Sequence, residues 1–117
     1  MDSTEFSVNR FPPAYDSALS ISNKKHKRYP LVAEMQEKAR IAMNGNNPML
    51  GDLVMEVKCE ATLDHLSTDC VNLIGGIANC LQAIVYSNDN QIKEVHFKQL
   101  LSNKNKFTVK ISKVGQY

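Results

Sequence analysis

Residues 52–63, DLVMEVKCEATL, constrain the fold more than any other stretch of this chain. Leu53, Met55, Val57, Cys59, Ala61 and Leu63 occupy every second position, and Asp52, Glu56, Lys58 and Glu60 fall between them. Successive side chains of a strand point to opposite faces, so the pattern predicts a half-buried strand with one wet face. Such a strand belongs to a sheet packed on one side and solvated on the other.

Around it, the order of elements can be read by period. Residues 5–11, EFSVNRF, alternate weakly and predict a first strand stopped by Pro12-Pro13. Residues 14–29 show no periodicity and read as a loop or arm ending in NKKHKRY. Pro30 suits the first turn of a helix, where its missing N–H is not needed. From there Leu31, Met35, Ala39, Ala42 and Met43 share a face, and Asn44 or Gly45 ends the helix. A turn-rich linker, NGNNPMLG, leads into the strand already described. Ile74, Ile77, Leu81 and Ile84 then recur at helical spacing and predict a second helix over about 71–84.

That second helix contains Gly75-Gly76, and a mid-helix glycine costs about 1 kcal/mol relative to alanine. The pair therefore implies close packing against another backbone, or a loose first turn. Two more strands follow, 92–99 with Val95 and Phe97 inward, and 106–114 with Phe107, Val109 and Ile111 inward. LLSNKNK joins them and reads as a hairpin-like connection. The predicted order is β-α-β-α-β-β. That is an α+β fold, a small mixed or antiparallel sheet packed with two main helices, in a single domain over 1–117 with the arm at about 14–29.

With 117 residues and 43% apolar composition, the chain is expected to bury one core. It has no run of 18 apolar residues, so no membrane-spanning helix is predicted. The start MDSTEFSVNR lacks an apolar signal region. Three cysteines, Cys59, Cys70 and Cys80, show no paired spacing and predict reduced thiols in the cytoplasm. Charge is segregated along the chain. Residues 23–40 carry six positive and two negative charges, residues 41–92 one positive and six negative, and residues 93–117 six positive and one negative. Clustered lysines and arginines can track a phosphate backbone, and acids beside them can hold a divalent cation against it.

Two groups of residues follow from that pattern. Asp69 and Asp89 stand at the two ends of the second helical segment. Paired carboxylates beside a basic surface suit Mg²⁺ or Mn²⁺ and phosphodiester hydrolysis. On spacing alone a helix N-cap and a turn residue account for them better. Lys24, Lys25, Lys27 and Arg28 make the densest basic run, with the composition of a DNA-backbone contact or of a solvated loop. His65, Asp69 and Cys70 fall short of a zinc ligand set. No P-loop, nucleophile elbow or dinucleotide-binding turn is present, so no nucleotide cofactor is expected.

The stretch TDCVNLIGGIANCLQAIVYSNDNQI resembles the signature of RusA-type Holliday junction resolvases. In that family the pattern runs Asp-x-Asp-Asn-Leu-x-Lys, then Asp-x-Leu, an aromatic, and Asp-Asp-x-Gln-Ile/Val. Asp69, Asn72, Leu73, Leu81, Tyr86, Asp89, Gln91 and Ile92 match it in order. The early Pro-Pro and the basic arm before the first helix are also similar. The resemblance implies a homodimeric, Mg²⁺-dependent endonuclease that resolves Holliday junctions and other branched DNA in recombination and repair, of a kind often encoded by prophages. It implies that Asp69 and Asp89 are catalytic metal ligands, with Asn72, Asn88 and Gln91 supporting the site. Val71 stands where the family has a second catalytic aspartate, Gly75 where it has lysine, and Asn79 and Asn88 where it has further aspartates. Two carboxylates in place of three or four imply weaker metal binding and weakened cleavage, with Asp64 the nearest replacement ligand. The alternative is a catalytically inactive junction-binding or dimeric interaction protein.

Overall fold

The computed structural model describes residues 1–14 and 29–115. Lys24, Lys25, Lys27 and Arg28, the predicted DNA-contacting run, lie outside the described residues. The elements are β1 (Ser3–Val8), α1 (Tyr29–Met43), β2 (Leu53–Ala61), α2 (Cys70–Cys80), a single 3-10 turn (Asp89–Gln91), β3 (Ile92–Leu101) and β4 (Lys106–Lys113). The α+β class and the order β-α-β-α-β-β follow the sequence expectation. Four strands form one mixed sheet in the order β1-β4-β2-β3. β4 runs antiparallel to both β1 and β2, and β2 runs parallel to β3.

The alternating strand becomes β2, an interior strand of that sheet. Leu53, Met55, Val57, Cys59 and Ala61 are buried, and Lys58 is exposed between them. In the main core, Phe6, Val8, Met55, Val57, Phe107, Val109 and Ile111 of the sheet meet Val32, Met35 and Ala39 of α1 and Ile77 and Ala78 of α2. Asn44 and Gly45, at φ 50° and 80°, turn the chain out of α1 as expected. The opposite face of the sheet is an open, polar surface carrying Glu5, Glu56, Lys58, His96, Lys98 and Lys110.

Gly76 has the packing role anticipated for the glycine pair. A Cβ built there would lie 2.3 Å from the Pro13 carbonyl oxygen and 2.5 Å from Ala14 backbone atoms. The backbone that leads into the basic arm thus crosses directly over α2, and only a residue without a side chain admits it.

Three expectations need correction. LLSNKNK is not a hairpin, because β2 lies between β3 and β4. The connection instead crosses the end of β2, where the Ser102 N–H donates to the Ala61 carbonyl at 2.8 Å and the Thr62 N–H to Asn105 Oδ1 at 3.0 Å. A short turn between two strands looks the same locally whether they pair with each other or flank a third.

α2 also stops four residues short of the expected end, at Cys80 rather than 84. Leu81 caps it, Ala83 takes φ 69°, and the Ala83 N–H donates to the Tyr86 carbonyl at 2.7 Å. Tyr86 is fully buried and its hydroxyl donates to the Ala78 carbonyl at 2.6 Å, so the chain turns back on the helix end. Ile84 still packs against the core, but from this turn.

The third correction concerns Val95 and Phe97. They align with Met55 and Val57 on the core side of the sheet. Phe97 is only partly buried and Val95 remains 37% exposed, because β3 is the sheet edge.

Candidate functional site

The parallel β2–β3 pair gives the molecule two distinct ends. β2 leaves the sheet at Ala61 and enters the loop that carries Asp64, His65 and Asp69. Asp89 lies at the other end, just before β3 begins at Ile92. α2 runs between the two.

Asp69 is the N-cap of α2. Its backbone is extended, at φ −63° and ψ 124°, and its Oδ1 accepts the Val71 N–H at 2.8 Å. A carboxylate there satisfies an orphan donor and sits at the positive end of the helix dipole. Val71 and Asn72 follow in the first turn, both exposed, and Val71 shows 71% of its surface. The position that holds the second aspartate in the resembled pattern thus faces solvent beside Asp69.

Asp64 is held in the same loop by the Thr62 hydroxyl, which donates to its Oδ1. That hydrogen bond is the main cause holding the Asp64 carboxyl below its usual range, helped by a backbone hydrogen bond and the nearby His65. His65 stacks on Phe11 with ring centroids 4.5 Å apart and planes 19° apart. This stack lines a cleft with Arg10, Pro30, Leu31, Lys104 and Asn105. Arg10 Nε pairs with Glu34 Oε1 at 3.3 Å. Four segments distant in sequence therefore bring a guanidinium, a lysine, a histidine and an aromatic ring to the end of the sheet that carries Asp64 and Asp69. Neither periodicity nor spacing signals this cleft, because none of its residues is adjacent to another contributing segment in the chain.

At the other end, Asn88 and Gln91 build the turn that carries Asp89. Asn88 Oδ1 accepts the Asn90 N–H at 2.9 Å, and Gln91 Oε1 accepts the N–H groups of Ser87 and Asn88 at 3.0 and 3.2 Å. The Gln91 amide then donates to the carbonyls of Met49 and Gly51, at 2.9 and 3.0 Å. The Asp89 N–H donates to Gln82 Oε1 at 3.0 Å, which pins the turn beside the C-terminal end of α2. Tyr86 below it has its hydroxyl pushed well above the usual range, first by burial and then by the Asp89 charge.

Asp69 caps the N-terminal end of α2, and Asp89 sits in the turn held by Gln82 just after its C-terminal end. They stand at opposite ends of α2, whose 11 residues span roughly 16 Å. Among the described residues, no group of three or more His, Cys, Asp or Glu side chains is placed to hold a metal. The described residues of one chain therefore show no complete divalent-metal centre. Cys59 and Cys80 are buried away from it, and burial pushes both thiols up to about 11.

The arrangement defines a small α+β protein with its polar and ionisable candidates at the ends of a parallel strand pair, and a helix and its cap between them. The family of endodeoxyribonuclease RusA matches residues 13–112 of the 117-residue chain, and the chain belongs to that family. No curated protein matches it. The RusA family comprises endonucleases that resolve Holliday junctions, acts on branched DNA and is generally dependent on a divalent metal. Among the described residues, no helix is long and apolar enough to cross a membrane.

Proposed function

We propose that this chain is a homodimeric endonuclease of branched DNA, working in the cytoplasm on four-way junctions during recombination and repair, with weakened cleavage. The family match over residues 13–112 carries this reading. The cleft formed by Arg10, Phe11, His65 and Lys104 supports it, since a cationic and aromatic surface suits phosphate contact and base stacking. It lies at the end of the sheet that bears Asp64 and Asp69. The basic run Lys24, Lys25, Lys27 and Arg28, which lies outside the described residues, has the composition of a DNA-backbone contact. Asp69 and Asp89 would supply carboxylates to Mg²⁺ or Mn²⁺, with Asp64 a further donor. When bound, the ion would polarise a phosphate and activate water. The prophage setting that the resemblance implies belongs to this proposal as well.

A second reading has its own observation. Val71 and Gly75 replace two chemically active positions of the family pattern, and the carboxylates of one chain stay apart. A junction-binding protein without cleavage matches those facts.

One experiment separates the two. A labelled four-way junction is incubated with the protein in Mg²⁺ and in Mn²⁺, and in parallel binding is followed in EDTA across a salt series. Slow cleavage abolished by Asp69→Asn supports the endonuclease. Binding in EDTA that falls steeply with salt, with no cleavage under either metal, supports the binder. Equal affinity for junction and linear duplex, without cleavage, sinks both.

A further inference from the structure

The cleft beside the Asp64 loop has features that contact with a duplex backbone does not need. It offers about 760 Å³ of space, and small-ligand sites usually measure roughly 300–1,000 Å³. Arg10, Phe11, His65, Lys104 and Asn105 are among its lining residues, and no lining residue is acidic. Arg10 engages Glu34 through Nε alone, and among the described residues Lys104 pairs with no carboxylate. Phe11 and His65 each give one ring face to the other in their stack. Neither ring is buried and both line the cleft, so an outer face can take a third planar ring.

Both rings are held in place before any ligand arrives. Phe11 precedes Pro12 and Pro13, which are buried, and a residue before proline is confined to extended backbone. His65 stands in a turn closed by its own N–H, which donates to the Thr62 carbonyl at 3.0 Å. Its Nδ1 lies 3.3 Å from the Thr62 hydroxyl oxygen, which sets the plane of the ring. Thr62 is tied in turn to Asn105, whose Oδ1 accepts the Thr62 N–H at 3.0 Å. A platform ordered in this way loses little freedom when a ligand settles on it.

We infer that this cleft takes one unpaired nucleotide of DNA, with its base stacked on the Phe11–His65 pair and its phosphate held by Lys104 and Arg10. It rests on the action on branched DNA proposed above and names the feature of the substrate that is read. A paired base inside a duplex has both faces covered by its neighbours, so only a base out of the stack can offer one to a protein ring. Such bases occur in bulges and single strands and wherever arms diverge at a branch point. Every base has a π-face, so the stack reads an interruption of the duplex and not its sequence.

The test uses the full chain and three DNAs: a linear duplex, the same duplex with one bulged 2-aminopurine nucleotide, and a four-way junction with 2-aminopurine at its branch point. Stacking on another ring quenches 2-aminopurine fluorescence. The natural chain should quench the bulged base and bind that DNA about tenfold more tightly than the plain duplex, as one stacking contact allows. Phe11→Leu keeps apolar bulk without the aromatic face, and should remove the quench and most of the affinity ratio. Phe11→Trp should keep both. Lys104→Ala should weaken binding to all three DNAs and lower the salt slope by about one. A quench at the bulge alone supports the cleft, with a bulge and not the branch point as the source of the nucleotide. No quench by the natural chain, an affinity ratio that Phe11→Leu leaves unchanged, or a salt slope indifferent to Lys104→Ala would overturn the proposal. Junction cleavage that persists in those cases would remove the cleft and leave the proposed function standing. A Phe11-dependent quench, with no cleavage and no preference for junction over duplex, would do the reverse.

Discussion

At the scale of residues, Asp69 has a structural role whatever else it does, since its carboxylate caps α2. The two roles can be separated by substitution. Asparagine is as good an N-cap as aspartate, so Asp69→Asn should leave thermal stability nearly unchanged while removing the charge. Asp69→Ala should lose about 1 kcal/mol with the cap. If Asp69 serves only the helix, junction cleavage will follow stability across the pair, and if it serves catalysis, both variants will be inactive. Val71 offers the complementary experiment. It is 71% exposed in the first turn of α2, where an added carboxylate gains about 0.3–1 kcal/mol from the helix dipole. Val71→Asp should therefore fold at least as well as the natural chain, and should tighten Mn²⁺ binding measured by calorimetry and speed junction cleavage. Unchanged metal affinity in a well-folded variant would argue that this helix end is no longer a metal site.

At the scale of elements, α2 connects local sequence to global arrangement. Its glycine pair was legible as a packing signal, and the partner is the Pro13–Ala14 backbone at Gly76. Gly76→Ala would drive a methyl group into that backbone, and overpacking of this kind costs about 1–3 kcal/mol. For a chain near this size each kcal/mol moves the melting midpoint by about 4–8 °C, so calorimetry should register a clear drop. A variant that melts with the natural chain would mean the segment before the arm does not hold α2 down. The end of α2 was less legible. Ile84 keeps helical spacing with Ile77 and Leu81, yet the helix stops at Cys80 because Tyr86 buries its ring and bonds back to Ala78. Periodicity records which residues face the core, and a turn can present Ile84 to the core as well as a helix can. β3 was legible as a strand but not as an edge. Its pattern of apolar residues identified a strand, but alternation carries no information on whether that strand lies inside the sheet or at its edge.

At the scale of the whole molecule, the separation of Asp69 from Asp89 makes a prediction about pairs of chains. If an active centre draws Asp69 from one copy and Asp89 from the other, Asp69→Asn and Asp89→Asn variants, each inactive alone, should recover activity when mixed and allowed to exchange subunits. One centre in each mixed dimer then has both carboxylates, and up to about half the natural rate is expected where mixed dimers predominate. No recovery from a mixture shown to exchange would place both carboxylates of a centre in one chain, against the geometry of α2.

The alternating residues of β2, the helical faces of α1 and α2 and the proline and glycine stops were enough to establish the α+β class and the order of the elements. Each of these depends on contacts within a few positions, where backbone period and side-chain chemistry are directly coupled. The motif around Asp69 and Asp89 was legible for the same reason, as a string of residue types at fixed spacing. Tertiary structure alone decided that β2 stands between β3 and β4, that Arg10, Phe11, His65 and Lys104 share a cleft, and that Asp69 and Asp89 lie beyond opposite ends of α2. Strand order and the meeting of distant side chains are settled by burial of the whole apolar surface at once, and no local window of the sequence contains that sum.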